Sequence, residues 1–96
     1  MDTMENYSED CDVLSITRDI IGRNLRKGRL EKNWSQSKTG LEAGSCQATV
    51  ANLEAGKAKN PELSTIVNHG VAVGKDLCDL TVGLKEKIKK ESNSNK

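Results

Sequence analysis

The stretch from Ser35 to Pro61 constrains the fold more than any other part of this 96-residue chain. Ser35 belongs to the residue types that cap helix N-termini, and Gly44 can adopt the left-handed backbone conformation that ends a helix. A second helix is then expected to begin near Cys46, followed by a loop that starts at Gly56. The stretch therefore predicts two short helices joined by a tight turn.

The second of these helices, expected from about Gln47 to Ala55, has two unlike faces. Val50 and Leu53 fall on one side, which should be buried. The other side carries only carboxamides and small residues, which are Gln47, Ala48, Ala51, Asn52 and Ala55. An ordinary exposed helix would carry Lys and Glu there, whereas Gln and Asn can pair bidentately with adenine in the DNA major groove. This face predicts a recognition helix, with Gln47, Ala48, Ala51 and Asn52 reading bases.

The charge distribution agrees with a nucleic-acid partner, although the net charge is only +1. Residues 1–16 carry five acids and no base, whereas residues 17–60 carry nine bases and four acids. Residues 85–96 carry five bases and two acids. Positive charge is thus concentrated around the two short helices and in the C-terminal segment, as a phosphate-binding face requires.

These residues resemble the helix-turn-helix of the lambdoid phage repressor and Cro family. The similarity extends without gaps from about residue 21 to about residue 80, and it is carried by Arg29, Ser35, Gln36, Gly44, the run Gln47–Val50, Leu53, Glu54, Gly56, Lys57 and Pro61. The resemblance implies an all-α fold, a compact five-helix bundle with the helix-turn-helix at helices 2 and 3. It also implies a sequence-specific DNA-binding domain that acts as a dimer. Six positions differ from the residues usual in the family and predict a small core: Gly28, Thr39, Gly40, Ser45, His69 and Gly70.

The first helix, expected from Ser15 or Thr17 to Asn33, places a charge on its buried stripe. Arg29 continues the face of Ile21 and Leu25, so it requires a partner. Glu54 lies one turn beyond Val50 on the inward face of the second short helix. An Arg29–Glu54 ion pair is therefore expected between the two helices, and the resemblance implies the same pairing.

Phosphate contacts are expected around the recognition helix. Gln36 lies in the first turn after the Ser35 cap, with its amide free to reach a phosphate, and the loop after Gly56 carries two lysines beside the helix. For Arg26 a solvated basic helix is the equally weighted alternative. The full set of candidate phosphate contacts is Gln36, Lys38, Thr49, Lys57, Lys59 and Arg26.

Two further helices complete the expected bundle. Asn60 and Pro61 predict the start of a fourth helix, which runs to Val73 and is broken at Gly74. A last helix is expected from Asp76 through Leu84, with Ile88 as its furthest extent. Its apolar stripe exceeds what one small core needs, so we expect a dimer contact through Leu77, Leu80 and Leu84, with help from the end of the fourth helix.

The expected domain organisation is a disordered acidic arm over residues 1–12, a DNA-binding domain over 13–88 and a disordered basic tail over 89–96. A sharper hypothesis is that the arm competes with DNA for the basic face.

Trp34 is expected in the core beneath the turn rather than stacked on a base, and Leu41 is either exposed or buried by a small rotation of its helix. His69 has no acid or cysteine at ligand spacing, so a structural role is favoured over a metal or catalytic one.

Several classes of protein are excluded or disfavoured. The three cysteines are odd in number and widely spaced, which indicates neither a disulfide framework nor a zinc site. The acidic N-terminal residues do not resemble a signal peptide, and we expect a cytoplasmic protein without a membrane span, metal or cofactor. No catalytic constellation is present, so we do not expect an enzyme.

The leading interpretation is a dimeric transcriptional regulator, with repression expected, that binds a pseudo-palindromic operator in double-stranded DNA. The alternative is an antitoxin or accessory module that uses the same fold to bind a toxin or another protein, with DNA binding secondary.

Overall fold

A computed structural model describes residues 12–94 of the chain, and the side chains of residues 12–91. All regular structure in this part of the chain is helical, which confirms the predicted all-α class. Six helices follow one another: α1 Val13–Glu31, α2 Gln36–Glu42, α3 Gln47–Glu54, α4 Leu63–Ala72, α5 Leu77–Leu80 and α6 Leu84–Ser94. The expectations for residues 1–11 lie outside the described residues.

The first helix begins earlier and ends earlier than predicted. The Asp12 carboxylate accepts a hydrogen bond from the backbone N–H of Ser15 at 3.1 Å and so caps α1. Asp12 therefore belongs to the helix start and not to the acidic arm. At the other end α1 stops at Glu31, because Asn33 has a left-handed φ of 58° that a helix cannot continue through.

Helices α2 and α3 and the turn between them lie where the sequence predicts them. The Ser35 hydroxyl accepts from the backbone N–H of Lys38 at 3.0 Å, and Gly44 has a φ of +75°. The two helices approach closely at Gly40, where an added Cβ would lie 2.6 Å from the backbone carbonyl carbon of Cys46. A larger residue at position 40 would push α3 away from α2.

The hydrophobic core lies between α1 and the later helices. Its buried members are Ile21, Leu25, Leu53, Ile66, Val73 and Leu80. Trp34 packs against this cluster but is only half-buried, so it lies at the edge of the core in which the sequence placed it. Leu41 is 73% exposed, so the first of the two alternatives for this residue is the one observed.

The predicted fourth and fifth helices differ from the observed ones. Helix α4 starts at Leu63, two residues after Pro61, and Glu62 is its N-cap residue. It ends before Gly74, whose φ is +79°. The predicted last helix is divided into α5 and α6 by a turn over residues 81–83. The Asn24 amide donates to the carbonyl of Leu80 at 2.8 Å, and Gly83 has a φ of +90°, so both features stabilise the break.

This break changes the predicted dimer stripe and the predicted tail. Leu80 is 0% exposed and lies in the core of its own chain, so it is not available to a second copy. Leu77 is 42% exposed and Leu84 is half-buried. Leu77 and Leu80 belong to α5 and Leu84 belongs to α6, so the three leucines do not form a stripe on one continuous helix. In addition, α6 continues through residues 89–94, which the sequence assigned to a disordered tail.

Candidate nucleic-acid interface

The Arg29–Glu54 ion pair expected from the sequence is present and joins α1 to α3. Arg29 Nε lies 2.6 Å from Glu54 Oε2, and Arg29 Nη2 donates to Glu54 Oε1 at 3.0 Å. The remaining Nη1 donates to the carbonyl of Trp34 at 3.0 Å. The side chains are only 12% and 6% exposed, and the hydrogen bond to Glu54 raises the pKa of Arg29. Because both oxygens and all three nitrogens are engaged, the pair holds α3 in one position relative to α1.

Gln36 extends this bonding to the surface, and its amide is not free as the sequence suggested. Its Nε2 donates to Glu54 Oε1 at 3.1 Å, and its Oε1 accepts from Gln47 Nε2 at 2.7 Å. A side chain with both ends bonded is fixed in position, so any phosphate contact would use only the second N–H of Gln36. The chain of bonds from Arg29 through Glu54 and Gln36 ends at the first residue of α3.

The outward face of α3 has the exposure that a base-reading surface requires. Gln47, Ala48 and Asn52 are exposed and Ala51 is half-buried, whereas Val50 and Leu53 are 2% and 5% exposed. The bond to Gln36 uses one N–H of the Gln47 amide and leaves its Oε1 and its second N–H unused by that bond. Those two groups are the acceptor and the donor that an adenine edge takes up. Gln47 therefore keeps one acceptor and one donor beyond the hydrogen bond that it gives to Gln36.

Three of the side chains predicted to contact phosphate are exposed on the segments next to α3. Lys57 and Lys59 are exposed in the loop between α3 and α4. Lys38 in α2 forms a surface ion pair with Glu42 at 3.0 Å, and its ammonium lies 5.5 Å from the centre of the Trp34 ring. Surface pairs of this kind contribute little free energy, so Lys38 can exchange Glu42 for a phosphate at small cost.

The other two candidates are placed less directly. The Thr49 hydroxyl lies 3.4 Å from the sulfur of Cys46, the exposed N-cap residue of α3. This hydrogen bond, together with bonds from the backbone of Thr49 and Ala48, lowers the pKa of the Cys46 thiol. Arg26 is exposed on α1, one turn beyond Gly22, where α1 meets the backbone of α3.

Sequence reasoning missed the part played by Arg18. Its Nη2 donates to the carbonyl of Lys59 and so anchors the lysine-bearing loop to α1. The signal was present in the sequence, because Arg18 precedes Gly22, Leu25 and Arg29 on one face of α1. A second arginine on the inward side requires an acceptor from another element, as Arg29 does.

His69 has the structural role that the sequence favoured. It is 3% exposed, its Nδ1 lies 2.7 Å from the carbonyl of Thr65, and its Nε2 lies 2.8 Å from the hydroxyl of Ser45. A carbonyl only accepts, so Nδ1 carries the hydrogen, and in the neutral ring Nε2 accepts from Ser45. The imidazole thereby ties α4 to the turn that precedes α3.

Within residues 12–94 no three metal-binding side chains gather into a possible metal site. None of the helices there combines the length and the apolar character needed to cross a bilayer. No protein-family model matches the chain, and the comparisons with curated proteins and with solved structures gave no significant match.

Proposed function

We propose that the chain is a sequence-specific, DNA-binding transcriptional regulator of the helix-turn-helix type that reads the major groove with α3. The observation that carries this proposal is the outward face of α3, on which exposed amides and small residues replace the charged residues usual on a surface helix. An enzymatic role has no comparable support.

In this proposal each residue on the outward face of α3 makes a different contact with DNA. Gln47 pairs with an adenine edge, and Ala48 contacts a thymine methyl group. Asn52, one turn further on, bonds to a second base or to a phosphate, while Ala51 allows close approach of the helix. The hydrogen bond that Gln47 donates to Gln36 restricts the Gln47 side chain before DNA arrives, which reduces the ordering cost of binding.

In the proposal, contacts to the DNA phosphate backbone fix the position of α3 in the groove. Lys57 and Lys59 lie at one end of α3, and Lys38 lies on the neighbouring helix α2. Together with the second N–H of Gln36, the Thr49 hydroxyl and Arg26, they supply the sequence-independent part of the affinity. The affinity should therefore fall steeply as salt concentration rises.

A dimer belongs to the proposal, through the interface expected from sequence but without Leu80. A single recognition helix reads too few base pairs to be selective, so two copies related by a two-fold axis are needed. Leu77 and Val71, 42% and 65% exposed at the α4–α5 corner, replace the buried Leu80 as the apolar contacts. The expected effect on transcription is repression.

A second candidate function has one observation in its favour. Leu63, Val67 and Val71 lie at intervals of four along α4 and are 63%, 36% and 65% exposed. An exposed apolar stripe of this kind suits a protein partner, as in an antitoxin or accessory module that binds DNA only secondarily. Copurification of a stoichiometric partner that contacts this stripe, together with weak DNA selectivity, would favour this alternative.

The experiment that tests the leading proposal starts with selection of bound sites from random DNA. Replacing Gln47 with Ala should then weaken binding to the selected site by about 1 to 3 kcal/mol and relax preference at one base pair, because one bidentate contact is lost. Binding isotherms on the selected site and on all single-base variants measure both effects.

Asn68 provides a matched control for this substitution, since it is an exposed amide on α4. Asn68→Ala should leave affinity and preference unchanged. If Gln47→Ala weakens binding to every sequence equally, Gln47 contacts the DNA backbone and does not read a base.

A further inference from the structure

An apolar groove lies between the first half of α1, the loop after α3 and the start of α4. Its cavity volume is about 170 Å³, and its lining includes Leu14, Ile21, Leu53, Ala58, Pro61 and Ile66. Engineered cavities of about 150 Å³ bind a benzene molecule, so this groove has room for one aromatic ring. Nothing in the base-reading proposal uses this groove.

Arg18 adds to the groove a cation with one unsatisfied N–H donor. It lines the cavity, and its Nη2 donates to the carbonyl of Lys59. Its Nε is buried and has no acceptor among the described residues. A buried donor without an acceptor is destabilising, and a guanidinium prefers a carboxylate. The groove therefore favours an occupant that combines an apolar side chain with an acid.

The segment that precedes α1 has this composition. Residues 1–11 contain the apolar side chains Met1, Met4 and Tyr7, four acids and no base. The segment is connected to the chain at Asp12, two residues before Leu14, which lines the groove. The groove extends from Leu14 to Ile21, roughly 10 Å along the helix, whereas eleven extended residues can span about 35 Å. Length, point of attachment and charge all suit this occupant.

We propose that residues 1–11 dock into the groove between α1 and the α3–α4 loop, with the Tyr7 ring in the cavity and a carboxylate of the segment accepting from Arg18. Docking brings acids close to Lys57 and Lys59, whose neighbours in the loop, Gly56, Ala58 and Asn60, line the groove. Since these lysines are candidate phosphate contacts, the docked segment competes with DNA. This inhibitory role rests on the proposed function, whereas the docking itself does not.

The docking test uses NMR on the full chain without DNA. The chain contains one Tyr, one Trp and no Phe, so signals of the Tyr7 ring are readily assigned. We expect nuclear Overhauser effects from this ring to the methyl groups of Ile21 and Ile66. Tyr7→Ser should shift those methyl resonances selectively, while Tyr7→Phe, which keeps a ring, should leave them close to the parent values.

Two outcomes would overturn the docking. One is the absence of ring-to-methyl effects together with unchanged methyl shifts in Tyr7→Ser. The other is an effect seen between differently labelled copies in a mixed sample, which would assign the groove to a second copy of the chain.

The inhibitory role is tested on the selected DNA site. If the docked state holds most of the molecules, Tyr7→Ser should bind about three- to tenfold more tightly than the parent, because apparent affinity scales with the competent fraction. Tyr7→Phe should bind like the parent. If NMR detects docking but all three proteins bind the DNA site with equal affinity, the inhibitory role is overturned. Failure of all three to bind any DNA would reject the proposed function, while the NMR result would still decide the docking.

Discussion

At the scale of single residues, Glu54 contributes both to the stability of the fold and to the positioning of the candidate interface. Its Oε1 accepts from both Arg29 Nη2 and Gln36 Nε2, and its Oε2 accepts from Arg29 Nε. A carboxylate that is 6% exposed is tolerated only because these three charge-assisted or amide bonds replace its water. Removing the Glu54 carboxylate therefore takes an acceptor from both Arg29 and Gln36.

The first prediction at this scale concerns the ion pair. Arg29→Met or Glu54→Met alone should lower the free energy of unfolding by roughly 3 to 5 kcal/mol, because each strands a buried charge. The double variant should lose much less, since both charges are then absent. Urea unfolding followed by circular dichroism gives all three values. A single variant with the stability of the parent would show that the pair is solvated and contributes little.

The second prediction concerns the thiol at the start of α3. The Thr49 hydroxyl is the largest cause that lowers the pKa of Cys46. In a chain with Cys11→Ser and Cys78→Ser, the rate of alkylation should therefore rise with pH around a midpoint below that of an ordinary thiol. Adding Thr49→Val should move this midpoint to higher pH, because the thiolate loses its donor. Identical profiles with and without the Thr49 hydroxyl would contradict the assignment.

At the scale of helices, a glycine sets the distance between α1 and α3. A Cβ added at Gly22 would lie 2.3 Å from the carbonyl oxygen of Leu53 and 2.7 Å from that of Glu54. These are backbone atoms, so the clash can be relieved only by moving one helix. The close approach places Arg29, two turns later, within reach of Glu54.

Gly22→Ala should consequently destabilise the fold by about 1 to 3 kcal/mol, although alanine normally favours a helix. Gly28→Ala, in the same helix, is the control. Its Cβ would lie 2.9 Å from Val73 Cγ2 and 3.1 Å from Lys75 Cγ, so the nearest atoms belong to side chains, which can shift more easily than packed backbone. Thermal melts should rank Gly22→Ala below Gly28→Ala. The reverse order would mean that α3 shifts at little cost.

At the scale of the whole molecule, the exposed apolar residues limit where a second copy can bind. Leu80 is enclosed by its own chain, with its side chain against Gly70, where a Cβ would lie 2.8 Å from Leu80 Cδ1. The neighbouring Leu77 and Val71 are exposed. To read two half-sites of a pseudo-palindrome, the two α3 helices of the proposed dimer would have to lie about one DNA turn, roughly 34 Å, apart.

Sedimentation with the selected DNA site tests this arrangement. The parent should bind as two protomers per site, and Leu77→Asp should weaken site binding while retaining the helical circular dichroism spectrum. Leu77→Lys is the charge control and should also weaken binding, because either charge disrupts an apolar contact. One protomer per site for the parent, or full affinity for both variants, would reject the dimer. Leu80→Asp is unsuitable here, because it would place a charge in the core.

Much of the local structure could be predicted from the residues themselves. The Ser35 cap, the left-handed Gly44 and the buried Val50 and Leu53 follow from interactions within a few positions of the chain, so sequence spacing predicts them. The Arg29–Glu54 pair was also predictable, since a charge on an apolar stripe requires a partner. The α3 face proposed to read bases is likewise readable from its spacing alone.

Other features were decided only by the tertiary structure. Periodicity made Leu77, Leu80 and Leu84 look alike, but Asn24 of α1 bonds to the end of α5, the helix breaks at residues 81–83, and only Leu80 enters the core. Spacing within a helix specifies which residues share a face, whereas the neighbouring helix decides whether that face is buried. For the same reason the amide of Gln36 looked free until Glu54 and Gln47 were placed beside it. Caps and periodicity are determined by bonds between near neighbours in the chain, and partners brought from distant positions exist only once the helices have packed.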